Sequence, residues 1–141
     1  VRVVLDSNVV IAGFLWPGIC TRFFDLANAG IIEPFTSHEL LDEITEVLSR
    51  SKHTAQVSRT QYTIYELVNQ YKHFAQCIPT QKFTQQICRD ADDDAVLACA
   101  LAAKATAIVT SDKDLLILHP WKDIHILNPA NALQWLTPEK G

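Results

Sequence analysis

Residues 95–103, AVLACALAA, carry no polar side chain at any position, so this segment has to be buried. Asp90, Asp92, Asp93 and Asp94 stand directly before it, four carboxylates within five positions. Like charges this close repel, and an ionised carboxylate leaves water only at a high cost. A helix N-terminus, basic neighbours, solvent or a metal ion must offset that cost. Asp92 suits the N-cap of a helix running to about Ala103, and the acids then complement the positive end of its dipole. Acidic helix starts are common, and such a start alone asks for no ligand.

The rest of the chain alternates strands with helices. VRVVL (1–5) and ATAIVT (105–110) are short apolar runs rich in β-branched residues, as in buried strands. IIEPFTS (31–37) is a further strand, limited to an edge or a strand end by Pro34. IHILN (124–128) is the last. Between them, helices are predicted over 7–16, 20–29, 38–50, 59–76 and 129–136, and a turn or short helix from Ser111. Ser37 caps the third of these, whose Leu40, Leu41, Ile44, Val47 and Leu48 form one apolar stripe. Residues 77–89, with Pro79, read as mostly loop. Tyr62, Tyr65 and Tyr71 read as packing residues at helical spacing, and Trp16, Trp121 and Trp135 as core or interface. The alternation predicts an α/β fold with a parallel sheet covered by helices on both faces.

At 141 residues, 48% hydrophobic and 20% charged, the chain reads as one globular domain over 1–141. No apolar run approaches the roughly twenty residues of a membrane span, and no secretion leader is visible. Cysteines 20, 77, 88 and 99 form no CxxC pair, which suits free thiols in a reducing cytoplasm. A net charge of −4 argues against a simple basic nucleic-acid coat. It leaves room for a nuclease, because divalent ions cancel acidic charge where phosphate approaches.

In a parallel α/β fold, ligands bind beyond the carboxyl ends of the strands. Asp6 follows the first strand, and Asp112 follows the 105–110 strand with only Ser111 between. Asp94 lies in the first turn of the buried helix; its partners at i+4 and i+7, Ala98 and Leu101, turn it towards the interior. Glu43 lies beside Leu40 and Val47 at the edge of its helix's apolar stripe, while Glu39 and Glu46 lie further towards water. Carboxylates converging from separate elements need neutralising, and hard oxygen donors suit Mg²⁺ or Mn²⁺. Such an ion orients a water, lowers its pKa and stabilises charge on a phosphodiester.

The stretches VVLDSNVVIAGFLWPG, SHELLDEITEVLSR and DADDDAVLACALAAKATAIVTSDKDLL resemble the PIN domain, in its branch of small prokaryotic toxins of toxin–antitoxin systems. The likeness covers nearly the whole chain. It implies a three-layer α/β/α sandwich around a mainly parallel sheet, and a metal-dependent ribonuclease. Carried over by position, Asp6, Glu43, Asp94 and Asp112 match the family's catalytic, metal-binding acids. Asn8 matches the polar residue of the first motif, and Thr110 the hydroxyl that orders the last acid. Asp93 is a secondary site residue, and Asp114 reads as a helix-start acid. Ser7 stands where Thr is frequent, and Ser111 where Gly is; neither change removes a ligand.

Arg50, Lys52 and His53, with Arg89 and Lys113, are the weaker candidates for meeting substrate phosphates, since exposed basic side chains need no special role. The expected activity is an endoribonuclease using Mg²⁺ or Mn²⁺ on single-stranded RNA, as the toxin of a toxin–antitoxin pair. Resemblance further implies an antitoxin near Glu43 to Glu46 or over the acids, a homodimer using Trp121 or Trp135, and no membrane. The alternatives are an inactive PIN-fold binding or regulatory module, or a metal-dependent nuclease acting on DNA or in RNA maturation.

Overall fold

The computed structural model describes residues 1–138; residues 139–141, the end of the expected domain, lie outside them. Strand β1 (Arg2–Leu5) leads into helices α1 (Ser7–Leu15) and α2 (Thr21–Asn28), then strand β2 (Glu33–Thr36) and helix α3 (His38–Leu48). A 3₁₀ turn (Ser51–His53), α4 (Thr54–Arg59) and α5 (Ile64–Phe74) follow, then β3 (Gln76–Cys77). The second half is α6 (Ala91–Ala103), β4 (Ala107–Val109), α7 (Lys113–Leu116), β5 (His125–Leu127) and α8 (Pro129–Leu136).

All five strands are parallel, in the order β3-β2-β1-β4-β5. Side chains alternate across β1: Val3 and Leu5 pack towards α1, α2, α3, α5 and α8, whereas Val4 packs towards α6 and α7. The predicted α/β/α layering is therefore present. Among the described residues no helix is long and apolar enough to cross a membrane.

Several local expectations need correction. β2 is not an edge strand, since β3 lies outside it, and Pro34 meets the other half of the expectation by standing at the start of the strand. However, β3 pairs only with Phe35 and Thr36, so Pro34 has a neighbour on the β1 side alone, where Val3 faces it. The missing N–H costs the sheet nothing there. The helix expected over 59–76 begins only at Ile64. Thr63 accepts from Glu66 N at 3.1 Å and Glu66 accepts from Thr63 N at 3.0 Å, a capping box that fixes the start. Gln61, at φ 63°, breaks the chain between α4 and α5. The two-residue strand β3 opens the segment predicted as loop. Tyr71 is buried, but Tyr62 and Tyr65 are exposed, as are Trp16 and Trp135.

Candidate active site

Strand β1 sits between β2 and β4, so the connections leaving it and those arriving at β4 lie on opposite sides. The carboxyl ends of β1 and β4 border the crevice that such a reversal creates. The Asp6 amide donates to Val109 O at 2.9 Å, which holds the two strand ends together. Asp6 is buried and also caps α1: Oδ1 accepts from Ser7 N at 2.7 Å, and Oδ2 from Thr110 Oγ1 at 2.6 Å and Asn8 Nδ2 at 3.2 Å. Burial pushes the Asp6 pKa up, helped by the Asp112 charge, while the Thr110 and Ser7 hydrogen bonds hold it back. Thr110 Oγ1 in turn accepts from Asp112 N at 3.0 Å, and Asn8 Oδ1 from Ser111 N at 3.4 Å. One hydroxyl and one amide thus lock the turn after β4 onto the turn after β1.

The acid that α6 adds to this crevice is Asp93, not Asp94. Asp93 is 6% exposed, and its Oδ2 is buried with no hydrogen-bond partner among the described residues. Burial pushes it up to about 8, with contributions from the Asp112 and Asp6 carboxylates. Oxygens of Asp93, Asp112 and Asp114 lie within 4.8 Å of one another. Asp94 turns the other way and accepts from Ile87 N at 2.9 Å and Cys88 N at 2.7 Å, fastening the preceding loop to the helix. Its carboxylate lines a separate cavity of about 390 Å³ with Glu39, Phe83 and Gln86. The cap of α6 is Asp90, whose Oδ1 accepts from Asp92 N at 2.9 Å, rather than Asp92.

The helical phase explains the exchange. From Asp93, i+4 and i+7 are Leu97 and Ala100, both fully buried; from Asp94 they are Ala98 and Leu101, and Leu101 is 38% exposed. In a segment apolar throughout, either phase looks like an interior face, so sequence periodicity cannot choose between them. Asp114 stands in the first turn of α7, the helix-start acid expected, and it also lies beside the cluster. Asp112 Oδ1 accepts its amide at 2.9 Å, and this short capped turn brings the second acid of Asp-x-Asp back towards the first. That two-residue spacing is the signal that pointed to it.

Glu43 approaches from α3, half-buried and close enough to Asp6 for the two charges to interact. Burial and the charges of Asp6, Asp92 and Asp90 push it up to about 7. The basic candidates are spread around the rim. Arg50 pairs with Glu46 at 2.8 Å, and Arg89 pairs with Asp114 at 3.0 Å. Lys52 and Lys113 are exposed and make no ion pair among the described residues.

A comparison with known protein families matches residues 2–114 to the PIN domain. The chain belongs to the PIN domain family. PIN domains are typically nucleases, and in this one an acidic cluster stands at the carboxyl edge of the sheet. No curated protein matches this PIN domain by sequence. Among solved structures, it is similar to a chain of VapBC2 from Rickettsia felis, crystallised bound to a DNA fragment from their promoter. The two are 14% identical, the match covers 91% of this chain and 98% of the other, and the TM-score is 0.59. At that identity the likeness speaks for the fold alone.

Proposed function

We propose that this PIN domain is a Mg²⁺- or Mn²⁺-dependent endoribonuclease, acting in the cytoplasm as the toxin of a toxin–antitoxin pair. The observation that carries the metal reading is the unpartnered Asp93 Oδ2, buried among Asp112, Asp6 and Asp114. A buried carboxylate oxygen facing only other carboxylates calls for a cation to offset its charge. Asp6, Asp93 and Asp112, with Glu43, are the residues that would hold the ion. They are all hard oxygen donors, which fits Mg²⁺ or Mn²⁺ rather than a softer metal. When bound, such an ion supplies Lewis acidity at the phosphate and a water of lowered pKa.

The chain's own contribution is positioning and charge. Thr110 and Ser7 fix both oxygens of Asp6, so its lone pairs are set before substrate arrives. Asn8 stands at the exposed side of the same carboxylate, where its amide can meet a substrate oxygen. Glu43, held near neutrality in its titration, gives up a proton when cationic charge enters the cluster. Direct hydrolysis by a metal-held water needs no covalent protein nucleophile.

RNA as the substrate, the antitoxin and a homodimer rest on the resemblance to the toxin branch. The test is cleavage of single-stranded RNA by the purified protein in Mn²⁺. Activity should disappear with chelator and in Asp6→Asn and Asp93→Asn, each checked for folding by circular dichroism. Metal binding without turnover of any nucleic acid would favour a binding module instead, and full activity in both variants would overturn the assignment.

A further inference from the structure

Helices α1 and α3 lie side by side and lead away from the acids. At one end Glu43 of α3 stands within charge range of Asp6, the N-cap of α1. At the other, Trp16 packs edge-on against His53, with ring centroids 5.8 Å apart and planes at 70°. Asn8, Ala12 and Trp16 are four residues apart and share one side of α1 and its C-cap. Glu43 and Val47 on α3 lead in the same way to Arg50, just past its end. Ala12 and Val47 are each only half-buried, so a strip of solvent-facing surface runs from the carboxylates to the Trp16–His53 pair. At 1.5 Å per helical residue, Asn8 to Trp16 is about 12 Å.

The far end of this strip differs in chemistry from the near end. Trp16 is 43% exposed, although the ring is large and apolar. His53 Nδ1 is buried with no hydrogen-bond partner among the described residues, and the imidazole packs on the indole. Arg50 and Lys52 adjoin His53: the Arg50 carbonyl accepts from the His53 amide at 2.9 Å, its guanidinium is shared with Glu46 at 2.8 Å, and Lys52 is exposed with no ion pair among the described residues. An exposed indole packed on His53, with two basic residues in the adjoining turn, matches the alternation of flat base and anionic phosphate along a single strand. A protein or peptide partner offers no such regular alternation.

We propose that this strip carries single-stranded RNA away from the scissile position, with one base stacked on the Trp16–His53 pair and Arg50 and Lys52 against the flanking phosphates. The inference rests on the ribonuclease reading above. It assigns substrate-positioning residues outside the acidic cluster, and it makes the enzyme require a strand long enough to span both ends.

The test uses the whole chain with turnover silenced by Glu43→Gln, and a short fluorescein-labelled oligouridylate followed by anisotropy in Mn²⁺. Adding Trp16→Ala should weaken binding about five- to hundredfold, and Trp16→Phe by no more than about threefold. Arg50→Gln should lower the slope of log affinity against log salt by about 0.7. An oligomer carrying 4-thiouridine should crosslink to Trp16 or His53. Unchanged affinity in Trp16→Ala, or equal losses in the Ala and Phe variants, would overturn the stacking proposal. If the parent protein still cleaves RNA in that case, the ribonuclease reading stands. If the parent neither binds nor cleaves RNA, both readings fall together. Melting curves of each variant separate a binding loss from unfolding.

Discussion

Thr110 donates to Asp6 Oδ2 at 2.6 Å across 104 positions of sequence, and the same hydroxyl oxygen accepts from the Asp112 amide at 3.0 Å. One side-chain oxygen thus bridges both turns of the crevice, beside the Asn8 amide, in a residue with no exposed surface. Thr110→Val keeps the shape and removes both bonds. We expect it to lower stability by about 1.5–3 kcal/mol, the range for a buried hydrogen bond to a charged group. Mn²⁺ affinity should fall about ten- to hundredfold, because Asp6 loses the contact that orients it. Denaturant unfolding and calorimetric Mn²⁺ titration check the two effects separately.

The acids of the cluster predict how stability follows pH. Asp6 is raised, Glu43 stands at about 7 and Asp93 at about 8, each above its unfolded value. Between the unfolded and folded pKa values the native state binds more protons than the unfolded chain, so stability falls as pH rises. The contribution is whole below about pH 4 and is lost as pH climbs through the folded values. In chelator the melting temperature should therefore drop between about pH 5 and pH 8. Saturating Mn²⁺ should cancel the drop, since the ion binds the deprotonated acids and releases their protons. Asp93→Asn should flatten the chelator curve. A melting temperature that rises with pH in chelator would show the acids to be unstrained.

The neighbours Asp93 and Asp94 should separate cleanly by variant. Asp93→Asn removes a charge from the cluster and leaves no backbone bond broken, so the metal-free protein should be as stable as its parent or more so, with Mn²⁺ binding lost. Asp94→Ala strips two backbone amides of their acceptor and should cost about 1–2 kcal/mol, with Mn²⁺ binding largely kept. Chemical denaturation and manganese electron paramagnetic resonance, run on both variants, decide the matter. Equal loss of metal in both would mean that the two carboxylates act together.

How far the sequence reaches is clearest in this pair. The layers, the parallel sheet and the strand-end placement of Asp6 and Asp112 follow from local patterns: β-branched runs, the Ser37 cap and strand-then-acid junctions. Glu43 followed from phase because its helix has one apolar stripe and one wet face. α6 has no such contrast, so its phase is set by tertiary packing of Leu97 and Ala100, which no single-segment pattern contains. Strand β3 was invisible for a similar reason. Its two residues, Gln76 and Cys77, are both exposed, and they form a strand only because Phe35 and Thr36 present a free edge. The Arg59-to-Ile64 break needed the capping box at Thr63 and Glu66, which sits inside an otherwise continuous amphipathic pattern.

Gly13 offers a test of how the helix that begins at Asp6 is held in place. A Cβ added there would stand 2.8 Å from Phe24 Cε2, 2.9 Å from its Cζ and 3.2 Å from the Cys20 carbonyl oxygen. The ring cannot simply step aside. Phe14 and Phe74 press on it, with centroids at 4.8 and 5.1 Å, and Tyr71 adds a contact at 6.4 Å. Alanine gains about 1 kcal/mol over glycine from helix propensity, while overpacking of this kind costs about 1–3 kcal/mol. The clash should win, because one of the contacts is backbone and the ring is hemmed in, giving a net loss of about 1–2 kcal/mol. Phe24→Leu alone should also destabilise, through the lost ring. Combined with Gly13→Ala it should lose less than the sum of the two, since the smaller side chain vacates the space that the new methyl group needs. Urea unfolding of both single variants and the double variant measures that coupling. Strict additivity would mean that α1 shifts on α2 to accommodate the methyl group, rather than pressing on Phe24.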